Sequence, residues 1–297
     1  MILSNMVNLR NYSADDDFQF HRDEFDRSIK EIKLHYDITG KTALDLCSGA
    51  GIHSGFLSLH CSHVFGVDLL DYELAWNGMF KYQLRDLFKK HNVAIDITKM
   101  QFIKMDAQNL LFKDNLFDFV WCVNAFEHIP DPEKALDEIY RVLKPEGIAW
   151  IQFDPVYYCD TGSHMFDFLP EPWGHLMYQP EEYAEKLRAV GTPQEMVNDF
   201  LYGLNRKPKK YFIDLFNQKN TFKVLSCHEW SGLTKDEFRQ HPNYSLLKSR
   251  YSEEDLFFRG AHFLIKKLKI PENNERHLSL VENIIMHWRK YSIGLNP

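Results

Sequence analysis

The chain has 297 residues, 42 acidic against 35 basic, for a formal charge of −7. That balance argues against a nucleic-acid coat or a polybasic membrane anchor, because phosphate binding relies on clustered Lys and Arg. With 44% hydrophobic, 26% charged and an unusual 14% aromatic residues, it has ample material for a packed core. The longest unbroken apolar run, 119–123, falls far short of the roughly 20 residues a spanning helix needs. The opening MILSNMVNLR lacks the basic and apolar regions of a secretory signal. Cys47, Cys61, Cys122, Cys159 and Cys227 include no C-x-x-C pair, which fits reduced thiols and predicts a cytoplasmic protein without a cysteine zinc site.

Residues 15–36 read as a first helix, with Phe18, Phe25, Ile29 and Ile32 as its buried stripe. From Lys41 short apolar strands alternate with amphipathic helices. Strands are predicted at 42–47, 64–68, 101–104, 117–123 and 148–153. Between them, a helix follows the glycine-rich turn at 52–59, and Trp76, Phe80, Leu84, Leu87 and Phe88 recur at helical spacing. The best delimited helix is capped by Asp131, begins with Pro132, and buries Ala135, Leu136, Ile139, Val142 and Leu143; Pro145 and Gly147 stop it. This alternation implies an α/β fold, a doubly wound parallel sheet. Two further strands are expected at 221–229 and 259–267, the second Lys-rich enough to be an edge, and a terminal helix at 272–290. The predicted organisation is a helical cap over 1–40, a ligand-binding core over 41–154, an insertion over 155–220, and the rest of the sheet over 221–297.

The loop Asp45-Leu46-Cys47-Ser48-Gly49-Ala50-Gly51 directly follows the first strand. Glycines there allow a tight turn and close approach of a ligand to a helix N-terminus. Asp68 ends the second strand, where a carboxylate can accept hydrogen bonds from both ribose hydroxyls. Dinucleotide and methyl-donor sites share these features. A dinucleotide fingerprint would place Gly at 54, where Ser54 stands. Asp45 would repel a pyrophosphate but suits a ligand carrying an ammonium and a sulfonium. Asp106, after the third strand, can accept from an adenine amine. All three favour a methyl donor.

The motifs DLCSGAG, VFGVDLL and MDAQNLLFKDNLFDFVWCVNAFEHIPDPEKALDEIYRVLKPEG occur in this order over residues 41–154. They resemble the class I S-adenosylmethionine-dependent methyltransferases, in particular a subgroup with F-E-H-[IV]-x-D-P and R-V-L-K-P-x-G segments. The resemblance implies a Rossmann-like seven-stranded sheet, mostly parallel with its last strand antiparallel, and S-adenosylmethionine as cofactor. By the same resemblance, Asp45 and the backbone of Cys47, Gly49 and Gly51 hold the methionyl part, and Asp68 the ribose. Leu69 and Ala107 flank the adenine, Asp106 bonds its amine, and the backbone of Asn124 meets the sulfonium side. The family most often has Gly where Cys47 stands.

Methyl transfer from a sulfonium needs orientation and exclusion of water, and a general base only where the acceptor loses a proton. Candidate bases are His128 in the FEH segment and His164 and His175 in the insertion; each has a plainer reading as a loop histidine. His164 and His175, with Asp160 and Asp167, match no compact zinc spacing, so no metal is expected. The basic run at 206–210 reads as a solvated loop, and no nucleic-acid partner is expected. Nine aromatics fall between Trp150 and Tyr183, either as a lid over an acceptor or as a satellite core under a long connection. The leading expectation is O-methylation of a small molecule or a sugar or glycan hydroxyl. The alternatives are a methyltransferase-fold binding protein without turnover and, less favoured, a nucleotide-dependent oxidoreductase.

Overall fold

The computed structural model describes residues 14–217, 220–233 and 235–269, so the helix expected at 272–290 lies outside the described residues. Helix α1 (Ala14–Ile32) leads into β1 (Thr42–Leu46), α2 (Ile52–Leu57), β2 (His63–Asp68), the single turn α3 (Tyr72–Ala75), α4 (Phe80–Lys90) and β3 (Met100–Lys104). Then come β4 (Phe117–Val123), α5 (Pro132–Val142) and β5 (Leu143–Phe153). The sheet has seven strands in the order β3-β2-β1-β4-β5-β7-β6, completed by β6 (Phe222–Trp230) and β7 (Gly260–Lys267). Strands β1 to β5 pair in parallel, and β7 is antiparallel to both β5 and β6. This is the Rossmann-like sheet the resemblance implied.

Side chains alternate across each strand, and both faces are covered. Leu44, Leu46, Val120, Cys122 and Ile151 join a core under α5, while Ala43, Phe119, Trp121 and Trp150 join a second core under α1, α2 and α4. That two-sided burial explains why β4 reads as an unbroken apolar run. Phe18, Phe25, Ile29 and Ile32 of α1 supply its buried stripe as expected. Asp131 caps α5 by accepting from the Lys134 N–H at 3.2 Å.

Two expectations on the sheet are corrected. Strand β5 starts at Leu143, five residues before the predicted start, because Leu143 already pairs with Phe117 ahead of the register shift. Strand β7 is internal rather than an edge. Its lysines are engaged: buried Lys267 donates to Asn115 Oδ1 and to the carbonyls of Tyr140 and Leu143 at 2.7–2.8 Å, and the more exposed Lys266 pairs with Glu146.

A third core lies away from the sheet. It is built by α6 (Gly174–Met177), α7 (Pro180–Ala189), α8 (Gln194–Asn198) with the π turn that follows, α10 (Lys235–Gln240), α11 (Pro242–Leu247) and α12 (Glu253–Phe257). Tyr157, Trp173, Tyr183, Phe200, Phe238, Leu247 and Leu256 are buried in it. It therefore draws on residues before and after β6. Helix α9 (Lys209–Asn217), between α8 and β6, instead packs Phe212, Leu215 and Phe216 onto the sheet.

Candidate active site

The carboxyl end of β1 turns into α2 through a loop held by carboxylates. Asp45, 2% exposed, accepts from the Ser54 hydroxyl at 2.6 Å. Ser54, the residue that breaks a dinucleotide fingerprint, thus has a specific partner. Burial pushes the Asp45 carboxyl up to about 7; the Ser54 bond opposes this and the neighbouring Asp68 charge adds to it. Asp68, at the end of β2, accepts from the Gly49 N–H through Oδ2 and from the Leu70 N–H through Oδ1, each at 3.0 Å. These two bonds fix the loop against the second strand.

The loop backbone is unusual in the way a close ligand approach needs. Gly49 has φ 50° and Gly51, which precedes α2, φ 74°. A Cβ on Gly51 would come within 2.9 Å of the Phe102 ring, whereas one on Gly49 would meet nothing within 4 Å. Cys47 also has a left-handed φ of 60°, and Asn124, just past β4, has φ 54°. Non-glycine residues held there are strained, a feature concentrated at functional sites. The value at Cys47 gives a physical reason why glycine is favoured at that position. A shallow cleft beside the loop is lined by Ser48, Asp68, Leu70, Tyr72 and Phe102.

The remaining candidates for the donor side surround this edge. Asp106 accepts from the Gln108 N–H at 2.8 Å and from its side-chain amide at 3.0 Å, forming a local turn next to buried Ala107. Leu69 is 66% exposed at the rim. Asn124 donates its backbone N–H to the Gln152 carbonyl at 2.8 Å and its side-chain amide to Glu24 at 3.3 Å. Open space at Gly49, a buried carboxylate that an ammonium would hold ionised, and carboxylates at two further strand ends suit an adenosyl ligand carrying an amino acid.

The three histidines separate into two environments. His128 and His164 face one another with ring centroids 4.9 Å apart. The Nδ1 of His128 lies 3.1 Å from the Gly203 carbonyl, so it carries the proton and donates, placing the basic lone pair on Nε2. His164 donates from Nε2 to the Pro155 carbonyl at 2.7 Å. Glu127, 2% exposed, lies against both, and burial pushes its carboxyl well up, towards the neutral form. His175 is not brought to this group. It is buried in the third core, donates from Nε2 to the Tyr157 carbonyl at 2.6 Å, and is held neutral as burial lowers it to about 4.

Asn205 carries no sequence signal but holds the FEH loop. Its amide donates to the carbonyls of Phe126 and Ile129 at 2.6 and 2.8 Å, and its N–H to that of Glu127 at 2.9 Å. The basic run beside it is largely paired: Arg206 donates to the Phe200 and Leu201 carbonyls, Lys209 meets Glu229 and Lys210 meets Asp214. Of the nine clustered aromatics, Trp150 and Phe153 belong to the cores of the sheet, and Tyr157, Trp173 and Tyr183 to the third core.

Residues 44–151 match the methyltransferase domain family. Over 182 residues the chain is 28% identical to the ubiquinone/menaquinone biosynthesis C-methyltransferase UbiE of Psychromonas ingrahamii, covering 58% of this chain and 69% of that one. It is 26% identical over 151 residues to a ubiquinone biosynthesis O-methyltransferase of Coxiella burnetii, covering 48% and 58%. Among the curated relatives it matches first, the chain spans between 26% and 69% of their length. In fold it is similar to a Galdieria sulphuraria chain assigned as a sarcosine dimethylglycine methyltransferase, at 14% identity and a TM-score of 0.50, covering 82% of this chain and 85% of that one. Residues 44–151 therefore form a methyltransferase domain, a family that implies S-adenosylmethionine as the methyl donor.

Proposed function

We propose that the whole chain is a methyltransferase that methylates a hydroxyl of a small molecule, sugar or glycan, in a reducing, cytoplasmic setting. S-adenosylmethionine supplies an activated methyl group when bound. Asp45 and the backbone of Cys47, Gly49 and Gly51 hold its amino-acid end, Asp68 its ribose, and Leu69, Asp106 and Ala107 its adenine. Asn124 lies on the sulfonium side. His128 receives the acceptor's proton at Nε2, because its Nδ1–H is already committed to Gly203. His164 orients that ring, and His175 supports the insertion from within. The third core closes the acceptor side and keeps water out.

The observation that carries the oxygen acceptor is the His128 ring beside the strand end that bears Asn124, with its tautomer fixed by a backbone carbonyl. The names of the relatives carry no such preference, since they include C-, N- and O-directed enzymes. The test is release of S-adenosylhomocysteine across a panel of sugars, sugar nucleotides, phenols and small acids. A hydroxyl compound should be methylated, and His128→Ala should lower turnover about a hundredfold with donor affinity unchanged. Donor binding without methylation of any acceptor would instead favour a binding protein on the same fold. Tight NADH binding with no affinity for S-adenosylhomocysteine would sink the donor assignment.

A further inference from the structure

We propose that His21, Glu24 and His53 form a binding site for a first-row divalent cation, of which zinc is the type. His21 and Glu24 lie one turn apart on α1, and His53 stands in the first turn of α2, where the glycine loop ends. Glu24 Oε2 lies 3.7 Å from His21 Nδ1 and 3.3 Å from His53 Nε2, and all three atoms lie within 4.8 Å of one another. A tetrahedral zinc with ligands at roughly 2.0–2.1 Å sets its donor atoms roughly 3.3–3.4 Å apart.

The same three atoms are buried and have no hydrogen-bond partner among the described residues. A plain ion-pair network accounts for this poorly, because buried polar atoms are nearly always satisfied and neither approach to Glu24 has hydrogen-bond geometry. The other oxygen of Glu24 is firmly anchored. Oε1 accepts from the Gln152 amide at 2.6 Å and from the Asn124 amide at 3.3 Å, which turns Oε2 alone toward the histidines. Outer groups that fix a ligand carboxylate in this way are a regular part of metal sites. Asp17 faces the far nitrogen of His21 at 3.6 Å.

Two imidazoles and one carboxylate suit zinc or iron(II) better than magnesium or calcium, which prefer all-oxygen shells. The His21 side chain is 26% exposed, whereas Glu24 is 6% exposed, so the cluster is nearest to solvent on the His21 side, where a water would complete a tetrahedral shell. The outer shell ends at Asn124, which links this cluster to the candidate donor site. The assignment rests on the three side chains alone and stands whatever the acceptor proves to be.

The full-length chain, stripped with a chelator and titrated with Zn²⁺ by calorimetry, should bind one equivalent. Co²⁺ in its place should give the visible d–d bands of a low-coordinate nitrogen and oxygen site. Glu24→Gln and His53→Ala should each weaken Zn²⁺ binding at least about tenfold. His164→Ala should leave it unchanged, since Glu127, His128 and His164 form the other cluster able to gather ligand atoms among the described residues. Failure of the wild-type chain to bind Zn²⁺ stoichiometrically would overturn the proposal, independently of how any variant folds. Loss of binding in His164→Ala with retention in His53→Ala would overturn it equally.

Discussion

The donor edge of the sheet and the aromatic layer beyond it hold their functional groups by different means. At the donor edge, carboxylates at the ends of β1 and β2 engage Ser54 and backbone N–H groups within 20 residues of themselves. In the aromatic layer, order comes from packing: Trp173 is 1% exposed and donates its indole N–H to Leu256, 83 residues away. The first region is held by polar contacts that are made locally. The second holds only while its core stays closed. Damage should accordingly be local in one and collective in the other.

The sharpest way to break this contrast is Trp173→Ala. Removing a buried tryptophan from a core costs about 3–5 kcal/mol. Thermal unfolding should shift or split, acceptor turnover should be lost, and S-adenosylhomocysteine should still bind by calorimetry. Parallel loss of donor binding would show that the two regions fold as one unit and that the contrast is false. The expected result would make Trp173 a core residue of the third layer and not part of an exposed lid.

Next in size is Asp68→Ala, which removes acceptors for the Gly49 and Leu70 N–H groups and the carboxylate proposed for the ribose. Hydrogen bonds to a charged group are worth about 1.5–3 kcal/mol, so donor affinity should fall by more than about tenfold. Stability should change far less than in Trp173→Ala. A variant that melts early but binds normally when folded would move Asp68 from the binding machinery to the scaffold.

The pH dependence of donor binding tests Asp45. Its carboxyl titrates at about 7 in the ligand-free fold, pushed up chiefly by burial, and a bound ammonium favours the ionised form. Affinity should fall about fivefold from pH 7 to pH 6 and change little above pH 8, with proton release measured by calorimetry in two buffers. For the ligand-free chain the raised pKa contributes stability that is complete below the ordinary value of 3.8 and is lost as pH rises through about 7. Protection by the ligand should therefore grow across the same window. Asp45→Asn should flatten the binding profile, and an unchanged slope would place the proton elsewhere.

What was legible in the sequence follows the same division. The first five strands and the cap of α5 were readable because strand periodicity, glycine turns and Asp-Pro starts act over a few residues. The edge position assigned to β7 failed because Lys267 is satisfied by Asn115, Tyr140 and Leu143, groups at least 124 positions away. The aromatic stretch was visible, but its division between sheet cores and third core depends on Phe238, Leu247 and Leu256, which follow β6. Glu24 and His53 gave no signal, since their meeting depends on how α1 lies against α2. Spacing within a motif is local information, and contacts across 29 or more residues are not.

Asn205 joins the two regions and should give the smallest effect. Its side-chain amide ties the third layer to the Phe126 and Ile129 carbonyls on either side of Glu127 and His128. In Asn205→Ala the backbone bond from its N–H to the Glu127 carbonyl remains, and the site is only partly buried, so water can take over part of what is lost. The loop should loosen rather than detach, lowering kcat about two- to threefold with donor affinity unchanged and the pH profile of turnover intact. A positioning role requires Asn205→Asp, which keeps the shape but loses the amide donors, to be no better than alanine. Were the aspartate variant instead as active as wild type, the amide bonds would be incidental and the coupling between the layers would rest on the backbone alone.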